Sequence, residues 1–224
     1  MRLTHGVAFG VMKRTIDESL SYSTGAHQAV WNELLGTQFP ASPRNSLVLA
    51  HVAIALEHQS AILTLVKSGL RGSALAMMRL QLETALRGMW VHLLASDTQV
   101  DGISKQGDEP FPRFREMVKQ LDQAYGAQGW LDSLTNQWAT LNGYTHSGLE
   151  QLGMRFRADG NIAPSYPDEI ISDLLTLSGT VCIGTVVPLF RGLGFPQKAE
   201  ALGKWLDDNT PKNPAASGTQ GSQP

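Results

Sequence analysis

The chain has 224 residues, of which 42% are hydrophobic and only 17% charged, with 18 Lys and Arg set against 20 Asp and Glu. The formal net charge of −2 excludes nucleic-acid binding driven by bulk positive charge, though not a local basic pocket. Cys182 is the one cysteine, which excludes a disulfide framework and a zinc site built from thiolates.

The N-terminal run from Met1 to Met12 has an early Arg2 and a broken apolar stretch, which does not make the apolar core of a secretory signal. Helical periodicity begins with Ile16, Leu20, His27, Trp31 and Leu34, and Gly36 marks its stop. Asn45 or Ser46 is the expected cap of a second helix running to about Ser68, ended by Gly69, and Ser73 the expected cap of a third reaching about Ala95. A short helix after Asp97 and an amphipathic one over Phe111–Tyr125 follow. The next, from Trp130, is expected to turn or kink at Asn142-Gly143. Pro167 opens a long apolar helix to about Arg191, ended by Gly192 and Gly194; Pro196 starts a last one, anchored by Trp205. Within the apolar helix, residues 174–190 are too short and too diluted by Ser, Thr and Gly for a membrane span, and a buried core helix is expected instead. No run alternates with period two, so the fold class is all-α. Residues 1–208 are expected to form one helical bundle round a long central antiparallel hairpin. The Pro-, Gly- and Ser-rich stretch 209–224 reads as a disordered tail.

The hairpin of the second and third helices carries most of the chemistry. The third helix is apolar nearly all round, which marks a central, buried element. Yet Arg79, Glu83 and Arg87 recur every four residues and stack on one face, with Trp90 near the same line. On the second helix, Leu47, His51, Ile54, His58 and Ile62 share a stripe. A turn centred near Leu70 sets His58 level with Glu83, Ile54 with Arg87, and His51 with Trp90. A carboxylate beside the His58 imidazole would then raise its pKa.

A second candidate is Tyr144-Thr-His-Ser-Gly148, where His146 follows the expected break and Glu150 is placed to orient it. Dimetal spacings, Gly-rich phosphate loops and the Gly-x-Ser-x-Gly elbow are missing, so neither a metal nor a cofactor is expected.

The run from Gly72 to Trp90, with its Arg79-x-x-x-Glu83-x-x-x-Arg87 stripe, and the downstream Tyr144–Gly148 resemble a group of bacterial all-helical proteins of about this length. That group is in turn similar to the HEPN superfamily, helical bundles that include RNA-cleaving toxins, phage-defence proteins and inactive members. Active HEPN ribonucleases carry Arg, four to six residues, then His. Arg87–His92 and Arg44–His51 fit that spacing, although Gly88 stands where the pattern has a polar residue and the composition alone yields about one such match.

A lone buried thiol suits a reducing cytoplasm, and sparse charge with abundant apolar residues suits a homodimer; the resemblance implies a HEPN-like binding protein of a toxin or phage-defence type, with RNA or an antitoxin-like protein as further partner classes. The alternative it implies is a metal-independent ribonuclease using His51 or His146 as acid–base, with Arg44 or Arg87 stabilising charge on phosphate. A third reading is a small-molecule pocket in the bundle lined by His51, His58, Glu83 and Trp90, with Arg79 in the same polar cluster.

Overall fold

The computed structural model describes residues 14–106, 110–125, 130–157 and 159–210. The elements are α1 (Ile16–Leu34), α2 (Pro43–Lys67), α3 (Arg71–Leu93), α4 (Asp97–Gln106), α5 (Phe114–Tyr125), α6 (Trp130–Thr145), α7 (Leu149–Gly153), α8 (Asp168–Gly192) and α9 (Pro196–Asn209). The fold is all-α. Among the described residues the one extended feature is an isolated antiparallel bridge between Phe156 and Ile162.

Local chemistry explains most boundaries. Thr15 and Glu18 form a reciprocal capping box at α1, and the Thr15 amide and hydroxyl, both donating to the Glu18 carboxyl, hold it below its ordinary pKa. Gly36, Gly69 and Gly194 adopt positive φ just beyond α1, α2 and α8, where a side chain would be strained. Pro196 opens α9, and Trp205 packs on Tyr22 at 5.4 Å between ring centroids, anchoring that helix as its position implied. Asn209 closes α9, so the helix runs one residue past the expected boundary; residues 211–224, like the first 13, lie outside the described residues.

The α2–α3 hairpin is present, but both of its expected caps are displaced. Ser42 caps α2 by accepting from the Asn45 amide at 3.0 Å, with Pro43 in the first turn, so Asn45 and Ser46 already lie inside the helix. Helix α3 starts at Arg71 after Leu70, without a side-chain cap, and Ser73 is inside it. The connection is therefore Ser68–Leu70, and the pairing slips by a few residues from the expected register. His51 meets Thr84 (Nδ1 to Oγ1, 3.0 Å) and packs beside Gly88 rather than lying level with Trp90.

Helix α3 lies between three sets of neighbours: α2, α8, and the pair α5 and α6. Met78 and Leu82 on α3, and Leu175, Ile183 and Phe190 on α8, are completely enclosed, which is the burial expected of helices apolar on every face. By length and composition alone both α2 and α8 could cross a membrane, but 72% of the most apolar window of α8 is buried inside the bundle, against 39% for α2. Helix α8 is thus a core helix. Its polar groups are paired: Gln81 of α3 donates to the Ser178 carbonyl at 3.0 Å and accepts from the Ser178 hydroxyl at 2.6 Å, and Ser19 of α1 bonds Ser172 at 2.7 Å. Matched polar pairs inside an apolar interface penalise any other register of the helices.

Candidate functional site

Three α3 side chains form a linked row of charges. Four-residue spacing stacks Arg79, Glu83 and Arg87 along one helix face, and the Glu83 carboxylate bridges both guanidiniums, at 3.3 Å to Arg79 and 2.9 Å to Arg87. Their side chains are 19%, 24% and 23% exposed, so the row is neither a solvated surface ladder nor a fully enclosed triad.

Helices α5 and α6 and the segment leading into α5 supply its walls. The Arg79 guanidinium lies 4.7 Å over the Trp138 ring, and its Nε donates to Asn142 Oδ1. Trp138 is itself stacked on Phe114 at 3.5 Å. Arg87 lies 4.7 Å over Phe111. Each cation therefore has an anionic partner on one side and an aromatic face on the other, an arrangement that suits a partly desolvated guanidinium. Phe111 also meets His51 edge-on at 5.9 Å and Trp90 at 5.7 Å. Trp90 Nε1 donates to Gln120 Oε1 at 2.9 Å, tying α3 to α5.

The expected site residues divide accordingly. His51, Trp90 and Arg87 each meet the Phe111 ring, and Glu83 joins them through Arg87. His58 does not join them. Its expected partner Glu83 is engaged by two arginines, and no hydrogen bond or ion pair joins the two among the described residues. Its pKa moves the opposite way from the expectation: burial pushes the imidazole below its ordinary value, against a smaller upward pull from Glu57.

Arg44 lies within the first turn of α2 and is not free to fold back. It donates to the Val91 carbonyl at 2.5 Å and to Asp97 at 2.7 Å, joining the start of α2 to the end of α3 and the start of α4. Arg44 and His51 are seven residues apart on one unbroken helix, which separates them by roughly 10 Å of rise. Helix α3 is also unbroken across Arg87 and His92, so those two diverge: Arg87 faces Phe111, while His92 packs where a Cβ on Gly192 would lie 2.4 Å from its Nε2. Burial lowers the His92 pKa, its hydrogen bond to the Pro188 carbonyl opposes this, and the Arg44 charge adds to the lowering. Gly88, the departure from the HEPN spacing, is a packing position between α2 and α3, where a Cβ would lie 2.9 Å from His51 Cβ.

The Tyr144–Gly148 motif is arranged differently from the expectation. Helix α6 runs through Asn142-Gly143 to Thr145, and the break comes at Ser147, whose φ is +54°. Tyr144 is buried, and burial, with Tyr166 and Glu150 nearby, raises its phenol to about 12. His146 is exposed, and Glu150 folds back against Gly143 instead of orienting it. Cys182 is buried in α8, which raises its thiol pKa and leaves it a poor nucleophile. Among the described residues no group of His, Cys, Asp and Glu is arranged to hold a metal ion.

A family model, that of the family of unknown function DUF6988, matches residues 52–201. The chain belongs to this family. The DUF6988 match takes in the α3 row, Phe111, Trp138, Asn142 and all of α8, while Arg44 and His51 precede it. No curated protein and no solved structure matches the chain.

Phe111, Trp138, Asn142 and Thr84 are the residues round the α3 row and His51 that sequence patterns missed. Trp138 and Asn142 are one helical turn apart and so share a face of α6, a signal masked by the turn-forming reputation of Asn-Gly.

Proposed function

We propose that the protein is a HEPN-like interaction protein of a toxin or phage-defence type that works by association with another protein chain, and that this chain is a second copy of itself. The observation that carries this reading is the segment between α6 and α8. Four large apolar residues there are strongly exposed: Leu149 at 79%, Leu152 at 49%, Phe156 at 66% and Ile162 at 78%. Leu149 and Leu152 share a face of α7, and the bridge sets Phe156 opposite Ile162, so their side chains project together. Clustered apolar exposure marks an interface more often than scattered exposure does. A two-fold contact places the same patch on both sides and needs no second specialised surface.

The arginines favour association over phosphate chemistry. Arg44, Arg79 and Arg87 all have intramolecular partners, and His51 lies on α2, bonded to Thr84, while His146 is exposed in the turn after α6. In incubations of purified protein with tRNA or mRNA, wild type, His51→Ala and His146→Ala are expected to give the same uncleaved pattern as buffer alone. Cleavage by wild type that disappears in either histidine variant overturns the proposal in favour of a ribonuclease.

A further inference from the structure

We infer that two copies of the chain join edge to edge at Ile162, each adding a short strand to the other, so that association uses backbone pairing as well as apolar burial. This pairing rests on the self-association proposed above and gives it a geometry.

Residues 154–157 and 161–165 run antiparallel. The Arg157 amide donates to the Asn161 carbonyl at 3.0 Å, the Ala163 amide to the Arg155 carbonyl at 2.9 Å, and the Ser165 amide to the Met154 carbonyl at 2.8 Å. The first two bonds bracket the bridge between Phe156 and Ile162, which is therefore a non-hydrogen-bonded pair. In such a pair the two side chains stand together on one face, and the N–H and C=O of both residues point away from the partner strand.

The two outer edges differ. On the first strand the Phe156 amide is already taken, donating to the Gly153 carbonyl at 3.3 Å. On the second, neither the N–H nor the C=O of Ile162 has a backbone partner among the described residues, and the residue is strongly exposed. The next outward amide would belong to position 164, which is a proline and has none. The second edge thus offers one donor and one acceptor, both on Ile162.

An edge of that kind is completed by its own copy. In an antiparallel ladder a hydrogen-bonded pair exchanges both bonds, and two equivalent residues do so about a two-fold axis. Ile162 of each copy donates its N–H to the Ile162 carbonyl of the other, and no outward donor is left over. Phe156 and Ile162 of both copies then line one face of the joined sheet. The stretch 160–165, Gly-Asn-Ile-Ala-Pro-Ser, has no charged side chain, so no like charges meet across the axis. The charges that commonly blunt a sheet edge are missing from it. With the Phe156 amide occupied, the opposite edge cannot repeat the exchange, and assembly closes as a dimer.

Sedimentation velocity of wild type, Ile162→Val and Ile162→Pro tests the pairing, with circular dichroism as the check on each fold. Ile162→Val keeps the amide and is expected to dimerise close to wild type. Ile162→Pro keeps an apolar side chain and the inward bonds but loses the outward amide. Its dimer is expected to be about 100-fold weaker, roughly tenfold for each of the two hydrogen bonds lost. Wild type supplies a second readout by NMR. Exchange of the Ile162 amide is expected to slow as the dimer fraction rises. In mixed labelled and unlabelled chains, an intermolecular NOE is expected between the α-protons of Asn161 and Ala163, which face each other in this register. A wild type that stays monomeric overturns the association and the pairing with it. A wild-type dimer whose Ile162 amide exchanges as fast as in the monomer, or a folded Ile162→Pro that dimerises as Ile162→Val does, overturns the pairing alone.

Discussion

Glu83→Ala is expected to lower stability by about 2–3 kcal/mol, between the value of an exposed ion pair and the 3–5 kcal/mol of a fully buried one. The intermediate figure follows from side chains that keep about a fifth to a quarter of their exposure. Glu83 bridges both guanidiniums, so its loss takes an anionic partner from each of two cations held against aromatic walls. In a domain of this size that corresponds to a fall in Tm of roughly 5–10 °C. Replacing the whole row, with Arg79→Met and Arg87→Met added to Glu83→Leu, is expected to cost less than Glu83→Ala alone. Removing all three charges also removes the need to solvate them. Urea denaturation of the two variants measures this directly. A loss below about 0.5 kcal/mol for Glu83→Ala would mean that the row behaves as a surface ladder.

Gly88→Ala and Gly203→Ala are expected to move stability in opposite directions. Helix propensity alone favours both changes by up to about 1 kcal/mol. At Gly203 in α9 an added Cβ meets nothing within 4 Å, so that gain is expected in full. At Gly88 the new methyl meets His51 Cβ at 2.9 Å. That atom is fixed to the α2 backbone and cannot swing aside, so the two helices must separate. Overpacking of this kind costs about 1–3 kcal/mol, which outweighs the propensity gain. Thermal unfolding of the two variants beside wild type checks the signs. Stabilisation by both changes would contradict the close approach of α2 and α3.

All the described helices except the short α7 were legible in order in the sequence, because Gly36, Gly69, Gly194, Pro43 and Pro196 punctuate the chain where helices begin and end. The exact hairpin register was not. Asn45 and Ser73 look like caps, but Ser42 before Pro43 is the better cap, and α3 begins without one. Helix α3 turns Thr84 and Gly88 toward α2, while Glu83, about 100° round the axis from Thr84, belongs to the row that faces Phe111 and Trp138, which takes it away from His58. The four-residue spacing showed which charges share a face, since that depends only on α3. What encloses them did not show, because Asn142 meets Arg79 across 63 residues of sequence and Phe111 approaches from a segment outside any helix. Local patterns contain no information about such distant partners. The exposed α7 segment was missed for a related reason: its apolar residues signal an interface only once the bundle is seen to leave them uncovered.

The central claim is that the chain works through association at the Leu149–Ile162 segment, and sedimentation velocity tests it most directly. Wild type is expected to sediment as a reversible dimer whose fraction rises with concentration, and Phe156→Glu and Ile162→Glu as monomers with unchanged far-ultraviolet circular dichroism. A wild type that stays monomeric at the highest attainable concentration, or variants that dimerise as wild type does, would contradict the account.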